Sequence, residues 1–88
     1  MERRHEELLT ARLEEAMLNG YSRLTWQELY HWYGMEKLAA GTYRDLAKRW
    51  RELTSRKRGP LMMVRSGRDA LIVFSGQDVQ PIDENDTK

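Results

Sequence analysis

Arg44, Lys48 and Arg51 recur at the i, i+4 and i+7 spacing that brings side chains onto one flank of a helix. Arg56, Lys57 and Arg58 follow, and then Arg65 and Arg68. Cations in such a series neutralise phosphates, and the planar Arg fork also matches the O6 and N7 edge of guanine. Thr42 and the Tyr43 hydroxyl, just ahead of the series, offer neutral donors of the kind that contact phosphate. Nothing else in the chain competes for a chemical role. There is no cysteine, hence no thiolate nucleophile, disulfide or thiolate zinc site. His5 and His31 lie far apart in the sequence, lack a carboxylate at metal-ligand spacing and read as ordinary surface residues. Glu6-Glu7 and Glu14-Glu15 read as solvated helix faces. With no glycine-rich phosphate loop, nucleophile motif or carboxylate pair, no enzyme activity, cofactor, metal or small-molecule ligand is expected.

The 88 residues carry a formal net charge of +1, which alone would argue against a polyanionic partner. Its placement reverses that inference. Residues 1–40 hold five cations and seven acids, residues 41–68 nine and two, and residues 69–88 one and five. The local charges are therefore −2, +7 and −4. A block this basic attracts nucleic acid, an anionic membrane or an acidic protein, the bland alternative being an unevenly charged solvated surface. The length fits one domain with a thin core. The longest apolar run, Ala70 to Phe74, is far short of the roughly 20 residues of a membrane span. No apolar segment of signal-peptide type follows the charged N-terminus. A soluble, cytoplasmic chain that does not enter membranes is expected.

The elements that must position the cations follow from periodicity and caps. Glu2 to Leu18 reads as an amphipathic helix on Leu9, Leu13, Ala16 and Met17, stopped by Asn19-Gly20. Thr25 and Glu28 form a capping box, flanked by a Leu24/Leu29 staple, for a second helix from Trp26 to Tyr33 that ends at Gly34. Thr42 and Asp45 suggest a weaker cap for a third helix, Thr42 to Leu53, with Tyr43, Leu46, Ala47, Trp50 and Leu53 on its apolar face. The connection Gly34–Gly41 fits either a turn or an extension of that helix, and the cost of glycine inside a helix, about 1 kcal/mol, favours a break near Gly41. Leu61–Val64 and Ala70–Phe74 read as a hairpin. A two-residue Ser66-Gly67 loop would set Arg65 opposite Arg68 at its tip, with Leu61, Met63, Ala70, Ile72 and Phe74 on one face and Met62, Val64, Leu71 and Val73 on the other. The second face would need cover from the first helix, a third strand near Ser22–Leu24 or another subunit. Residues 1–75 are expected to form the domain, and Gly76 to Lys88 an acidic, disordered tail that competes for the cationic face.

This order of helix, capped helix, turn, cationic helix, basic loop and basic-tipped hairpin resembles the winged helix-turn-helix family, an α+β fold of three helices followed by a hairpin wing. Gly41-Thr42-Tyr43-Arg44-Asp45-Leu46 with Trp50-Arg51 also looks like the third helix of some plasmid- and phage-encoded DNA-binding proteins. The resemblance implies sequence-specific binding of double-stranded DNA by a small transcriptional regulator or plasmid or phage accessory factor. The third helix would enter the major groove and the wing would lie on backbone or minor groove. Contacts are then expected from Thr42, Tyr43, Arg44, Lys48, Arg51, Arg56, Lys57, Arg58, Arg65 and Arg68. Two other readings stand beside it: an interaction module of the same fold docking an acidic partner, and a binder of anionic membranes, which the third helix suits poorly for want of a free bulky apolar edge. The doubly apolar hairpin and the first helix offer surfaces for a homodimer.

Overall fold

The computed structural model describes residues 1–35 and 40–82. The chain is α+β. The described residues form α1 (Arg3–Asn19), β1 (Ser22–Thr25), α2 (Trp26–Tyr33), α3 (Ala40–Thr54), β2 (Leu61–Ser66) and β3 (Ala70–Ser75), followed by a short 3-10 turn at Gly76–Asp78. The three strands form one antiparallel sheet in the order β1-β3-β2. The strand near Ser22 thus extends the sheet at the open edge of β3 and covers neither face.

The core is built from one stripe of each helix and one face of the sheet. Leu9, Leu13 and Ala16 of α1 meet Leu29 and Trp32 of α2, Leu46 and Trp50 of α3, and Leu24, Leu71 and Val73 of the strands. The second helix has the bounds its local signals predict. Thr25 Oγ1 accepts from the Glu28 N–H at 3.1 Å, and Glu28 Oε1 accepts from the Thr25 N–H at 3.1 Å. Arg12 of α1 pairs with the same carboxylate, donates to the Arg23 carbonyl at 2.8 Å and lies over the Trp32 ring. Burial raises the pKa of Glu28, but hydrogen bonds from Arg12 and from Thr25 outweigh it and hold the carboxyl below its ordinary range. The stability this network supplies is complete above the ordinary glutamate range and is lost as pH falls through the lowered folded-state value. Urea titrations at pH 6 and pH 3 should show Glu28→Gln less stable than the parent at pH 6, with the difference shrinking at pH 3. A difference independent of pH would remove the ionised carboxylate from this role. Thr25→Ala should cost about 1 kcal/mol, and a loss below about 0.3 kcal/mol would mean that the cap adds nothing here.

Three expectations require correction. The third helix runs over Ala40–Thr54 and so takes in Gly41. Thr42, Leu46, Trp50 and Thr54 form a buried i, i+4 line along it, and packing on that scale outweighs the propensity cost of one glycine. Thr42 and Asp45 accordingly form no cap. The Thr42 hydroxyl donates to Met35 Sδ at 3.3 Å, and Asp45 accepts from Tyr33 and Arg49. Residues 36–39 of the Gly34–Gly41 connection lie outside the described residues.

The hairpin also differs. Ser66 pairs with Ala70, so the loop is Gly67-Arg68-Asp69, and Arg65 lies opposite Leu71, not opposite Arg68. Gly67 supplies the left-handed conformation this loop needs, with φ of 65°. The β1 register, which carries Thr25 to Ala70, and the Trp26 N–H bond to the Asp69 carbonyl at 2.9 Å fix where β3 begins. The odd shift in register exchanges the faces of β2 relative to β3. Leu61, Met63 and Arg65 share the helix side with Leu71, Val73 and Ser75, and Met62 and Val64 share the outer side with Ile72 and Phe74.

Candidate nucleic-acid interface

The third helix carries two polar flanks with different electrostatics. One faces the other helices and is internally neutralised. Arg49 Nε donates to Asp45 Oδ2 at 2.7 Å, Arg49 also reaches Glu6 of α1 at 3.5 Å, and the Tyr33 hydroxyl of α2 donates to Asp45 at 2.7 Å. Burial and the adjacent Asp45 both push the Tyr33 pKa up. At Asp45 burial acts upward, but Arg49 and Tyr33 hold it below its ordinary range. At Arg49 burial acts downward, and the bonds to Asp45 and Glu6 keep it firmly charged. Lys48 stands 4.0 Å from Glu52, with both side chains largely exposed.

The two acids of residues 41–68 are thus absorbed by Arg49 and Lys48. Among the described residues, the other seven cations of that stretch have no carboxylate partner: Arg44, Arg51, Arg56, Lys57, Arg58, Arg65 and Arg68. Of the three cations expected to line one flank of α3, Lys48 stands beside an acid, and Arg44 and Arg51 do not among the described residues.

Helical rotation of about 100° per residue sets Arg44 and Arg51 on the side away from the buried line and next to Tyr43 and Ala47, the residues that meet β2. Both arginines are exposed. Past Thr54 the chain turns sharply, with Ser55 and Arg56 in the left-handed region at φ of 54° and 62°. The Arg56 N–H closes the helix on the Arg51 carbonyl at 3.0 Å. That turn puts Arg56 beside Arg51, where both line a cavity of about 270 Å³ with Ala47, Gly59, Pro60 and Leu61. The basic loop is tied down at three points. Trp50 Nε1 donates to the Gly59 carbonyl at 3.0 Å, Ser75 Oγ donates to the Arg58 carbonyl, and the Gly76 N–H donates to the Pro60 carbonyl at 2.7 Å. Lys57 is exposed and Arg58 half-buried.

Arg65 and Arg68 are exposed at the far end of the hairpin, beside the start of α2 and apart from Arg56 to Arg58. Two predicted contacts do not reach the surface in the expected way. Thr42 is only 3% exposed with its hydroxyl on Met35, so it belongs to the packing and not to a phosphate-binding face. Tyr43 is half-buried against the core, where it lines an apolar groove of about 190 Å³ with Leu46, Ala47, Leu61, Met63 and Leu71. This groove lies between α3 and β2 and joins the Arg51–Arg56 cavity through Ala47 and Leu61. No signal in the sequence points to it, because it depends on the strand register.

His31 is exposed, as expected of a surface residue, whereas His5 is not. His5 and His31 come together with ring centroids 4.7 Å apart, and the His5 side chain is 11% exposed beside Glu2. They form an inter-helix contact. Among the described residues, no three His, Asp or Glu side chains converge as a metal site would require, and no helix is long and apolar enough to cross a membrane.

Compared with known proteins, this chain matches no family model, no curated protein and no solved structure.

Proposed function

We propose that this chain is a winged-helix protein that binds double-stranded DNA in a sequence-dependent way and acts by binding, as a small transcriptional regulator or accessory factor. The observation that carries the reading is the division of α3 into a neutralised flank against the other helices and a second flank whose Arg44 and Arg51, continuous with Arg56 and Lys57, have no carboxylate partner among the described residues. The strand order β1-β3-β2 behind a third helix supports the winged-helix assignment. In this reading α3 lies in the major groove. Arg44 reads a guanine edge, Arg51, Arg56, Lys57 and Arg58 neutralise backbone, and Arg65 and Arg68 meet a neighbouring phosphate or the minor groove.

A titration of labelled random duplex at 50 and 200 mM salt tests the binding itself. Micromolar affinity at low salt with a log–log slope of about −4 to −6 is expected for four to seven phosphate contacts. Absence of binding at 50 mM overturns the reading and favours an interaction module that docks an acidic protein. Selection from a random duplex pool tests the division of labour. Arg44→Ala should lower discrimination between selected and random DNA by about 10- to 100-fold while changing affinity for random DNA little. Equal losses on both would remove the base-reading role of Arg44.

A further inference from the structure

The groove between α3 and β2 has an apolar floor and a cationic end, and the acidic C-terminal segment leaves the fold at that same end. Ala47, Leu61, Tyr43 and Met63 line the apolar part, and Arg51 and Arg56 stand at the end bounded by Gly59 and Pro60. After β3 the chain runs directly across this corner. A Cβ built on Gly59 would lie 3.2 Å from the Gln77 backbone nitrogen, and one on Gly76 would lie 3.0 Å from Pro60. A side chain at either glycine would crowd the other segment, which would have to give by a few tenths of an ångström. The polarity beyond this point is complementary to the groove. Asp83, Glu84 and Asp86 follow within a few residues, just after Val79 and Ile82, which are 54% and 85% exposed. Ten residues beyond Asp78 span at most about 35 Å when extended, so reach does not restrict contact with a cavity bounded by Gly59 and Pro60.

We propose that residues 82–86 of this chain dock back on the Arg51–Arg56 end of the groove. Asp83, Glu84 and Asp86 cover the two guanidiniums, and the interaction competes with any polyanion for them. Tethering supplies the acids at millimolar effective concentration, which is enough to populate a weak ionic contact that would be negligible between separate molecules. The docked state differs from the arrangement described above, in which Ile82 is free in solvent, and exchange between the two is set by salt. The proposal does not depend on the DNA reading, because the contact forms within the free chain.

The absence of cysteine makes the test direct. Thr87→Cys in the full-length chain carries a nitroxide, and amide signals are followed by NMR. At 20 mM salt, broadening is expected at Ala47, Arg51 and Arg56. It should disappear at 500 mM salt and in the Asp83→Asn/Glu84→Gln/Asp86→Asn background. Broadening confined to residues next to Asp78, or broadening that salt leaves unchanged, overturns the proposal. A second arm measures competition. The triple neutral variant should bind a short heparin fragment about threefold more tightly at 50 mM salt, with no difference at 500 mM. Equal affinity at 50 mM would show that the acids do not occlude the cations. Heparin affinity that rises while duplex DNA fails to bind would support the docked tail and refute only the DNA reading.

Discussion

Trp50→Ala is expected to cost about 3–5 kcal/mol and to lower the unfolding midpoint sharply. The indole is fully buried at the centre of the core, and its Nε1 donates to the Gly59 carbonyl. A domain of this length has a total stability of about 4–13 kcal/mol, so one such loss is a large share of it. The two roles of Trp50 separate with Trp50→Phe, which retains most of the apolar surface and removes the bond to Gly59. That variant should lose about 1–2 kcal/mol, with faster amide exchange across Arg56 to Gly59, because the basic loop is freed from α3. Urea denaturation with far-UV circular dichroism measures both effects. A loss below 1 kcal/mol for Trp50→Ala would mean that this residue does not hold α3 to the sheet.

Replacing Arg51, Arg56 and Lys57 together by Gln is expected to flatten the salt dependence of duplex binding by about 2–3 in slope. Affinity at 100 mM salt should fall about 100-fold or more, on specific and random DNA alike. The inference rests on their isolation: among the described residues, none of the three has a carboxylate within salt-bridge distance. For the same reason the triple variant should retain its helical signal and melting temperature. Replacing Arg49 by Gln should do the opposite. It leaves DNA binding at high salt nearly intact and lowers stability, because Asp45 and Glu6 lose their shared partner. A triple variant with an unchanged salt slope would take this corner of α3 out of the interface.

Much of the fold was legible because its signals are local. The capping box at Thr25 and Glu28 requires only a three-residue spacing, and α2 begins where it says. The apolar periods of α1 and α3 depend on contiguous sequence in the same way. What escaped was set by tertiary contact. The start of α3 was decided by the burial of Thr42 in the line that Leu46 and Trp50 continue, against the local preference of Gly41. The hairpin register was decided by β1, which pairs β3 down to Ala70, together with the bond from Trp26 to Asp69. One residue of slip in such a register moves every side chain to the other face, so the grouping of Met62 and Val64 with Leu71 and Val73 failed as a set. For the site, the exposed cations were readable from charge alone. Which of them are free was not, since Arg49 meets Glu6 only after α1 packs across α3. The meeting of His5 with His31 belongs to the same class.

The placement of β1 also governs how the molecule assembles. Ser22 pairs with Val73 and Thr25 with Ala70, so a strand of four residues closes a loop containing two helices and β2. The entropy of that closure must be offset before its contacts contribute, whereas the helices and the β2–β3 hairpin form from neighbours in sequence. The edge of β3 that β1 covers is therefore expected to pair late in folding. A bare edge of Ala70-Leu71-Ile72-Val73 is a template for strands of other chains. Refolding yield is thereby tied to protein concentration, even though the finished sheet buries that edge.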